Sequence, residues 1–246
     1  MGKSGITTIL FDLDGTLLPM DQHQFMQAYM QAFSTKCTTL GLDCEKTLSA
    51  LGAGLTAMIG NDGTMTNERR FWDVFHSVAE LQSADLIDNF MAFYSQEFKE
   101  LQSVAFPTPL SRYIVEHVRS KGFRTVLATT PVFPRQVTLE RMSWVSLDQT
   151  CFELITTYEH FSYAKPHLGY YQQILSLLKV DPETCLMVGN DVEEDLVAQD
   201  LGMQTYLVTD WLINSKNKDI SNYQQGSLQD FSTYVQSLDN REGTQH

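Results

Sequence analysis

The chain has few basic side chains for its length. Its 246 residues include 17 lysines and arginines against 30 aspartates and glutamates, which gives a formal net charge of −13. Proteins that bind nucleic acid or anionic membrane surfaces concentrate positive charge on one face. We therefore expect neither as a partner, and any site for an anionic substrate must supply its own cations locally.

Cysteine and long apolar runs are also scarce. The four cysteines show neither CxxC spacing nor a histidine-rich metal pattern, and Cys151 and Cys185 lie in apolar runs that predict burial. No apolar run approaches the ~20 residues that cross a bilayer, and the N-terminal segment has no signal-like apolar stretch. We expect a cytoplasmic protein in a reducing setting, without a membrane partner.

The overall composition of the chain is typical of a globular protein. Hydrophobic residues make up 43% of the chain, aromatic residues 11% and charged residues 19%. These fractions support a sizeable core and argue against extensive disorder. A chain of this length forms one large domain or two modest ones.

The most informative segment lies near the N-terminus. A β-branched, apolar run at residues 7–11 predicts a buried strand, and Asp12-Leu13-Asp14-Gly15-Thr16 follows it. Positions i and i+2 of an extended chain share a face, so Asp12 and Asp14 can point into one pocket beyond the strand. Two anions ~4 Å apart repel by roughly 4 kcal/mol at an effective dielectric of about 20, so the pair needs a cation, a proton or solvent. A solvated acidic turn is the alternative interpretation.

The segment after this strand is predicted to be entirely helical. Apolar residues recur at helical spacing over residues 21–40, 45–59, 66–79 and 84–102, with Asn67 as a helix cap and a turn at 60–63. We expect residues 19–103 to form an all-helical domain, a small bundle, inserted into a second domain made of residues 1–18 and 104–246.

Strand and helix patterns alternate in the second half of the chain. Strands are predicted at 123–128, 152–156, 185–188 and, as the last, 205–208; helices are predicted at 110–121, 134–144, 168–178, 193–201 and 228–238. Such alternation is typical of a parallel sheet with helices on both faces. The predicted fold class is α/β, a doubly wound, Rossmann-like core with an inserted all-helical cap.

Chemically active side chains follow the predicted strands. The carboxyl ends of parallel strands meet at one edge of the sheet, so these side chains should converge. Carboxylates, hydroxyls and one lysine suit a Mg²⁺ site beside an anion site. Each residue taken alone has an ordinary structural interpretation, and only their joint order favours a site. The residues are Asp12, Asp14, Thr129, Thr130, Lys165, Asn190, Asp191 and Asp195.

This order of motifs resembles the haloacid dehalogenase-like hydrolase superfamily. Residues 12–16 are similar to its first motif, Thr129 to the second, Lys165-Pro166 to the third, and residues 189–195 to the fourth. The helical segment after the first motif resembles the cap of the phosphoglycolate phosphatase and β-phosphoglucomutase-like branch. The resemblance covers residues 7–208.

The resemblance implies roles for the site residues. Asp12 would be the nucleophile that forms an aspartyl-phosphate, and Asp14 the general acid and then base. Lys165 would neutralise charge, and Thr129 and Thr130 would bind the phosphoryl group. The cofactor would be Mg²⁺, held by Asp12, Asp14 through its main-chain carbonyl, and Asp191. Asp195 and Asn190 would support these groups, with Asp195 orienting Lys165 or a metal-bound water.

The fourth motif departs from the usual pattern, in which aspartate directly follows glycine. Here Asn190 intervenes between Gly189 and Asp191. Either Asp191 takes the metal position, or Asn190 supplies an oxygen and Asp195 the charge. We prefer Asp191 because a carboxylate holds Mg²⁺ better than an amide does.

The functional expectation is a Mg²⁺-dependent phosphatase that hydrolyses a small phosphate monoester. A phosphoryl transferase of the sugar-phosphate mutase type is one alternative, and a non-catalytic binding protein on the same fold is another. A dehalogenase is disfavoured, because the dehalogenating branch lacks the second aspartate, which is Asp14 here. The partner would be a small phosphorylated metabolite, and the sequence indicates neither its identity nor the oligomeric state.

Overall fold

The computed structural model describes residues 5–80 and 84–240. The two ends of the predicted core, residues 1–4 and 241–246, and residues 81–83 of the predicted cap lie outside that range. The strands are β1 (Thr8–Phe11), β2 (Arg124–Leu127), β3 (Leu154–Ile155), β4 (Cys185–Gly189), β5 (Gln204–Val208) and β6 (Gln225–Gly226). The helices are α1 (Gln22–Thr39), α2 (Cys44–Ile59), α3 (Asn67–Ala79), α4 (Ala84–Ser95), α5 (Pro109–Ser120), α6 (Arg135–Trp144), α7 (Leu168–Leu178) and α8 (Leu228–Gln236).

The described strands form one parallel sheet in the order β3-β2-β1-β4-β5-β6. The chain builds outward from β1 in one direction through β2 and β3, then returns to the other side of β1 with β4. Ligands bind at such a switch point, beyond the carboxyl ends of the strands. The predicted α/β fold with a parallel sheet is confirmed, and β1 brings Asp12 to its centre.

The central strand is buried on both faces. All four residues of β1 are buried, and its neighbours β2 and β4 are almost as enclosed. Helices cover both faces of the sheet, which is why β1 shows a continuous apolar run rather than alternation. No described helix is both long enough and apolar enough to cross a membrane.

The segment between β1 and α5 is helical, as predicted, and packs around an aromatic core. The chain leaves and re-enters this segment side by side: Met20 pairs with Ala105 in an antiparallel bridge, and Phe106 N donates to Pro19 O at 2.8 Å. These two chain segments, at residues 19–20 and 105–106, lie close to the predicted boundaries of the helical segment. The division of the chain into a core and a cap stays a prediction. The buried aromatic residues include Tyr29, Phe33, Phe75, Phe90, Phe93 and Phe98.

Two predicted helices differ from the structure. Residues predicted as one helix at 84–102 form α4 and then a 3₁₀ helix at Glu97–Val104. The predicted helix at 193–201 is a 3₁₀ helix at Leu196–Leu201, preceded by turns. There the Asp195 side chain is turned inward to Lys165 and to the main-chain N–H of Asp191, which holds the preceding residues out of a regular helix.

Two smaller expectations were wrong. Thr66, not Asn67, caps α3, because its hydroxyl accepts from Arg69 N at 3.3 Å while the Asn67 side chain is buried against the core. The predicted last strand is followed by β6, a pair of residues whose glutamine and glycine carry no strand pattern. Its main chain pairs with β5 all the same.

Two glycines of α2 allow a test of its packing on α3. A methyl group added at Gly54 would lie 2.6 Å from Phe71 Cδ2, whereas one added at Gly52 meets nothing within 4 Å. Gly54→Ala should therefore destabilise the fold by about 1–3 kcal/mol through overpacking. Gly52→Ala should stabilise it by about 1 kcal/mol through helix propensity. Urea unfolding of both variants measures the difference, and equal effects would contradict this packing.

Candidate active site

A cavity of about 260 Å³ lies beyond the carboxyl ends of β1, β2 and β4. Its floor is polar and carries the residues that follow these strands. The opposite wall is apolar and comes from the helical segment. The floor residues are Asp12, Asp14, Thr129, Thr130, Asn190, Asp191, Glu194 and Asp195; the wall includes Met20, Phe25, Met26, Leu55 and Ile59. The structure thus brings together the site residues predicted from sequence, with Lys165 beneath the floor.

Lys165 joins two carboxylates in the interior. Its Nζ donates to Asp12 Oδ1 at 2.9 Å and to Asp195 Oδ1 at 2.6 Å, and the residue is only 1% exposed. Burial alone would lower the pKa of Lys165, but the Asp12 and Asp195 carboxylates raise it well above its ordinary value. The lysine is therefore a permanent cation beneath the cavity.

Asp12 is the most perturbed carboxyl group of the floor. Burial raises its pKa to about 8; Lys165 opposes this shift, while the nearby Asp195 and Asp14 carboxylates add to it. Among the described residues, only the lysine favours the charged form of Asp12, so a further cation in the cavity would also favour the carboxylate.

The turn after β4 fixes Asp195 and Asp191. Asp195 Oδ2 accepts from Asp191 N at 3.0 Å, and a Cβ added at Gly189 would overlap the Asp195 carboxylate, so this position requires glycine. Asp191 Oδ1 accepts from Glu193 N and Glu194 N at 2.7 and 2.9 Å. Burial raises the pKa of Asp191, and these two main-chain donors oppose the shift.

Asn190 ties two loops together through both ends of its amide. Its Oδ1 accepts from Thr16 Oγ1 at 3.0 Å, and its Nδ2 donates to Trp211 O at 2.7 Å. Gly15, at a φ of +80°, packs directly against this amide, where a side chain would both collide and be strained. The Asn190 oxygen is thus already engaged by a hydroxyl group of the first motif.

The two threonines after β2 differ in their surroundings. Thr130 Oγ1 donates to Glu194 Oε2 at 2.6 Å, so its hydroxyl proton is already used in a hydrogen bond. The Thr129 carbonyl accepts from Thr156 Oγ1 at 2.6 Å and from Tyr170 Oη at 3.0 Å, which fixes the main chain at this position. Thr129 is buried and lines the cavity.

Three residues of the site were missed by sequence reasoning. Glu194 lines the cavity, where burial raises its pKa to about 7. Arg141 of α6 is 1% exposed and forms an ion pair with Asp14. Asn67 connects the helical segment to the core. Of these three residues, only Arg141 could have been recognised from the sequence. It is a charged residue on the apolar face of its helix, four positions after Val137.

Asn67 links the helical segment to two loops of the floor. Its Nδ2 donates to Pro131 O at 3.0 Å and to Tyr163 O at 3.2 Å, and its Oδ1 accepts from Asn61 Nδ2 at 2.8 Å. Pro131 directly follows Thr130, and Tyr163 lies two residues before Lys165. A fully buried amide therefore sets the spacing of the two loops that carry Thr130 and Lys165.

The charges of the site favour a bound cation. Among the described residues that line the cavity, five carry carboxylates, against the cations of Arg141 on α6 and Lys165 below the floor. Hard oxygen donors of this kind suit Mg²⁺. Among described residues, no three His, Cys, Asp or Glu side chains already converge on one point. The residues that could contribute oxygen ligands are Asp12, Asp191 and the main-chain carbonyl of Asp14.

A buried carboxylate–lysine–carboxylate group beneath a small acidic cavity, at the switch point of a parallel sheet, is typical of an enzyme. A family model described as haloacid dehalogenase-like hydrolase matches residues 6–202. The chain belongs to this family of hydrolases, and the resemblance noted from its motifs is confirmed.

Individual relatives are distant. Pyrophosphatase PpaX of Bacillus cereus is 24% identical over 214 residues, which is 86% of each chain. A predicted phosphoglycolate phosphatase from Haemophilus somnus superposes with a TM-score of 0.59 at 15% identity, over 95% of this chain and all of the other. L-2-haloacid dehalogenase from Xanthobacter autotrophicus, with chloropropionic acid covalently bound, gives a TM-score of 0.57 at 13% identity, over 95% of this chain and 99% of the other. These structural likenesses show the fold alone.

Removing the Asn67 amide tests its role as a link. Asn67→Ala leaves the Pro131 and Tyr163 carbonyls without this donor, and we expect a loss of about 1–3 kcal/mol in the free energy of unfolding. Asn214→Ala, which removes hydrogen bonds within an exposed turn, is the matched control and should cost less. Urea denaturation compares the two, and a similar cost for both would argue against a buried link.

Proposed function

We propose that the protein is a Mg²⁺-dependent phosphatase that hydrolyses a small phosphate monoester through an aspartyl-phosphate on Asp12. The observation that carries this proposal is the buried contact of Lys165 with Asp12 at the floor of the cavity. The printed names of the pyrophosphatase and phosphoglycolate phosphatase relatives support phosphate chemistry. The cavity volume favours a small metabolite over a phosphoprotein.

The first chemical step would be attack by an Asp12 carboxylate oxygen on phosphorus. A new O–P bond forms as the bond from phosphorus to the leaving oxygen breaks, and Asp14 gives a proton to that oxygen. In the second step Asp14 takes a proton from water, whose oxygen attacks phosphorus as the bond from phosphorus to Asp12 breaks; phosphate leaves and the Asp12 carboxylate is restored. Lys165 neutralises negative charge throughout because it is held against Asp12.

The phosphoryl oxygens would be bound by Thr129 and by main-chain N–H groups near Leu13. Thr130 is a weaker candidate than we expected from the sequence, because its hydroxyl already donates to Glu194 and would have to exchange that bond. Asp195 supports the site by holding Lys165 from the other side.

Asp12, Asp191 and the main-chain carbonyl of Asp14 are the proposed Mg²⁺ ligands. When bound, the ion would neutralise the phosphoryl group and the surrounding carboxylates. Of the two alternatives in the fourth motif, Asp191 is supported because the Asn190 oxygen accepts from Thr16. Asn190 then has a structural role between two loops.

The helical segment at 19–103 is proposed to act as a cap domain over the core formed by residues 1–18 and 104–246. Its apolar wall would exclude water and contact the leaving group, with the turn at 60–63 as a candidate specificity loop. The free cysteines found in the described chain are in keeping with the proposed cytoplasmic location.

Phosphate release tests the chemistry. Wild-type protein should release phosphate from members of a panel of small phosphate esters and inorganic pyrophosphate in Mg²⁺ but not in EDTA. Asp12→Asn should abolish release because it removes the nucleophile. Asp148→Asn is the control and should keep full activity, because Asp148 is an exposed residue at the N-terminus of the short 3₁₀ helix Gln149–Cys151.

Each outcome of the panel has a consequence. Release from pyrophosphate alone would replace the monoester by an anhydride substrate. Phosphate moved to a second hydroxyl, with little release, would indicate the mutase-like alternative. An inert wild type that Mg²⁺ does not stabilise would favour the binding-protein alternative and reject the phosphatase.

Metal binding is tested separately by thermal unfolding. Mg²⁺ at about one hundred times its dissociation constant should stabilise the wild type by about 2.7 kcal/mol. Asp191→Asn should lose most of this stabilisation, whereas Asp148→Asn should retain it. An unchanged response in Asp191→Asn would remove Asp191 from the proposed ligands.

A further inference from the structure

Arg141 is the most unusual buried residue of the site. It lies on α6, outside the four motifs, and is 1% exposed on a helix face otherwise formed by residues such as Val137 and Met142. A buried ion pair seldom stabilises a fold more than packed apolar side chains of similar volume do. A core arginine at this position therefore calls for an explanation beyond stability.

The contacts of Arg141 are almost all with one partner. Its Nη1 donates to Asp14 Oδ2, and its guanidinium carbon lies 4.8 Å from the centre of the Phe133 ring, which covers one face. Its Nε and Nη2 are buried and have no hydrogen-bond partner among the described residues. No competing acceptor draws the guanidinium away, so Asp14 is its one charged contact there.

The same contact leaves Asp14 with one oxygen free. Oδ2 is held by Arg141, while Oδ1 has no hydrogen-bond partner in the described part of the chain. Both residues line the cavity beside Asp12. Arg141 thus holds Oδ2 through one charge-assisted hydrogen bond, and Oδ1 is buried beside this contact without a partner of its own among the described residues. The ion pair therefore fixes where the Asp14 carboxyl group lies.

We propose that Arg141 is a positioning residue, which holds the Asp14 carboxyl group beside Asp12 for proton transfer to the leaving-group oxygen of the substrate. This inference rests on the proposed function, in which Asp14 gives its proton to that oxygen. Arg141 acts through Asp14 and does not itself contact the reacting atoms. Misplacing a proton donor costs most where the leaving group most needs a proton.

Two substrates of similar size separate this role from a structural one. Benzyl phosphate has a basic leaving oxygen that needs protonation, whereas 4-nitrophenyl phosphate has a stable phenolate leaving group. Arg141→Met should lower kcat for benzyl phosphate by about 100-fold or more, and for 4-nitrophenyl phosphate by less than about 10-fold. Arg141→Lys, which keeps one donor to Asp14, should recover part of the loss and serves if the methionine variant does not fold.

Two further variants complete the design. Asp14→Asn should show the same dependence on the leaving group, and the double variant Asp14→Asn/Arg141→Met should lose no more activity than Asp14→Asn alone. Arg112→Met breaks an exposed ion pair with Glu116 and should change neither rate. Thermal unfolding of each variant confirms that the protein compared is folded.

The outcomes are separable. Equal losses on both substrates, or additive losses in the double variant, would assign Arg141 a structural role and overturn the proposal. A raised KM with unchanged kcat would assign it to substrate binding and overturn it as well. A wild type inactive on every phosphate ester would reject the proposed function itself, and with it this role of Arg141.

Discussion

The site depends on one buried cation between two carboxylates. Lys165 lies in the interior with Asp12 on one side and Asp195 on the other, and neither carboxylate could be enclosed at this cost in desolvation without it. Because Asp12 follows β1 and Asp195 follows β4, the lysine also joins the two strands that meet at the switch point of the sheet. The fold and the chemistry thus share one electrostatic contact.

The other charged side chains of the site are also arranged around ion pairs. The chain as a whole is acidic, and the cavity follows that bias, with Arg141 fixed on Asp14 and Lys165 fixed on Asp12. Each of these two cations is therefore already paired with an aspartate of the first motif. Among the described residues, no cation is ion-paired with Asp191 or Glu194, and burial raises the pKa of both, so a divalent ion in the cavity would favour their charged forms.

Much of this arrangement could be predicted from the sequence, for identifiable reasons. Strand ends in a parallel sheet converge, so finding Asp12, Thr129, Lys165 and Asp191 after successive apolar runs was enough to place them together. Arg141 was missed because a charged residue within a helical pattern is usually assigned to the solvent face. The strand β6 was missed because its two residues pair with β5 through their main chain. The glutamine and glycine side chains give no alternating apolar pattern that would predict a strand.

The contact made by Asn67 has a consequence for how such a protein can vary. Its amide nitrogen binds the carbonyl groups of Pro131 and Tyr163, which are main-chain atoms present whatever side chains those loops carry. This contact between the helical segment and the core is therefore insensitive to the loop side chains, whereas the packing of Tyr29 and Phe98 on Phe133 depends on one of them. The loop between β2 and α6 can therefore change at Pro131 without loss of the Asn67 hydrogen bond, but its sequence is constrained at Phe133.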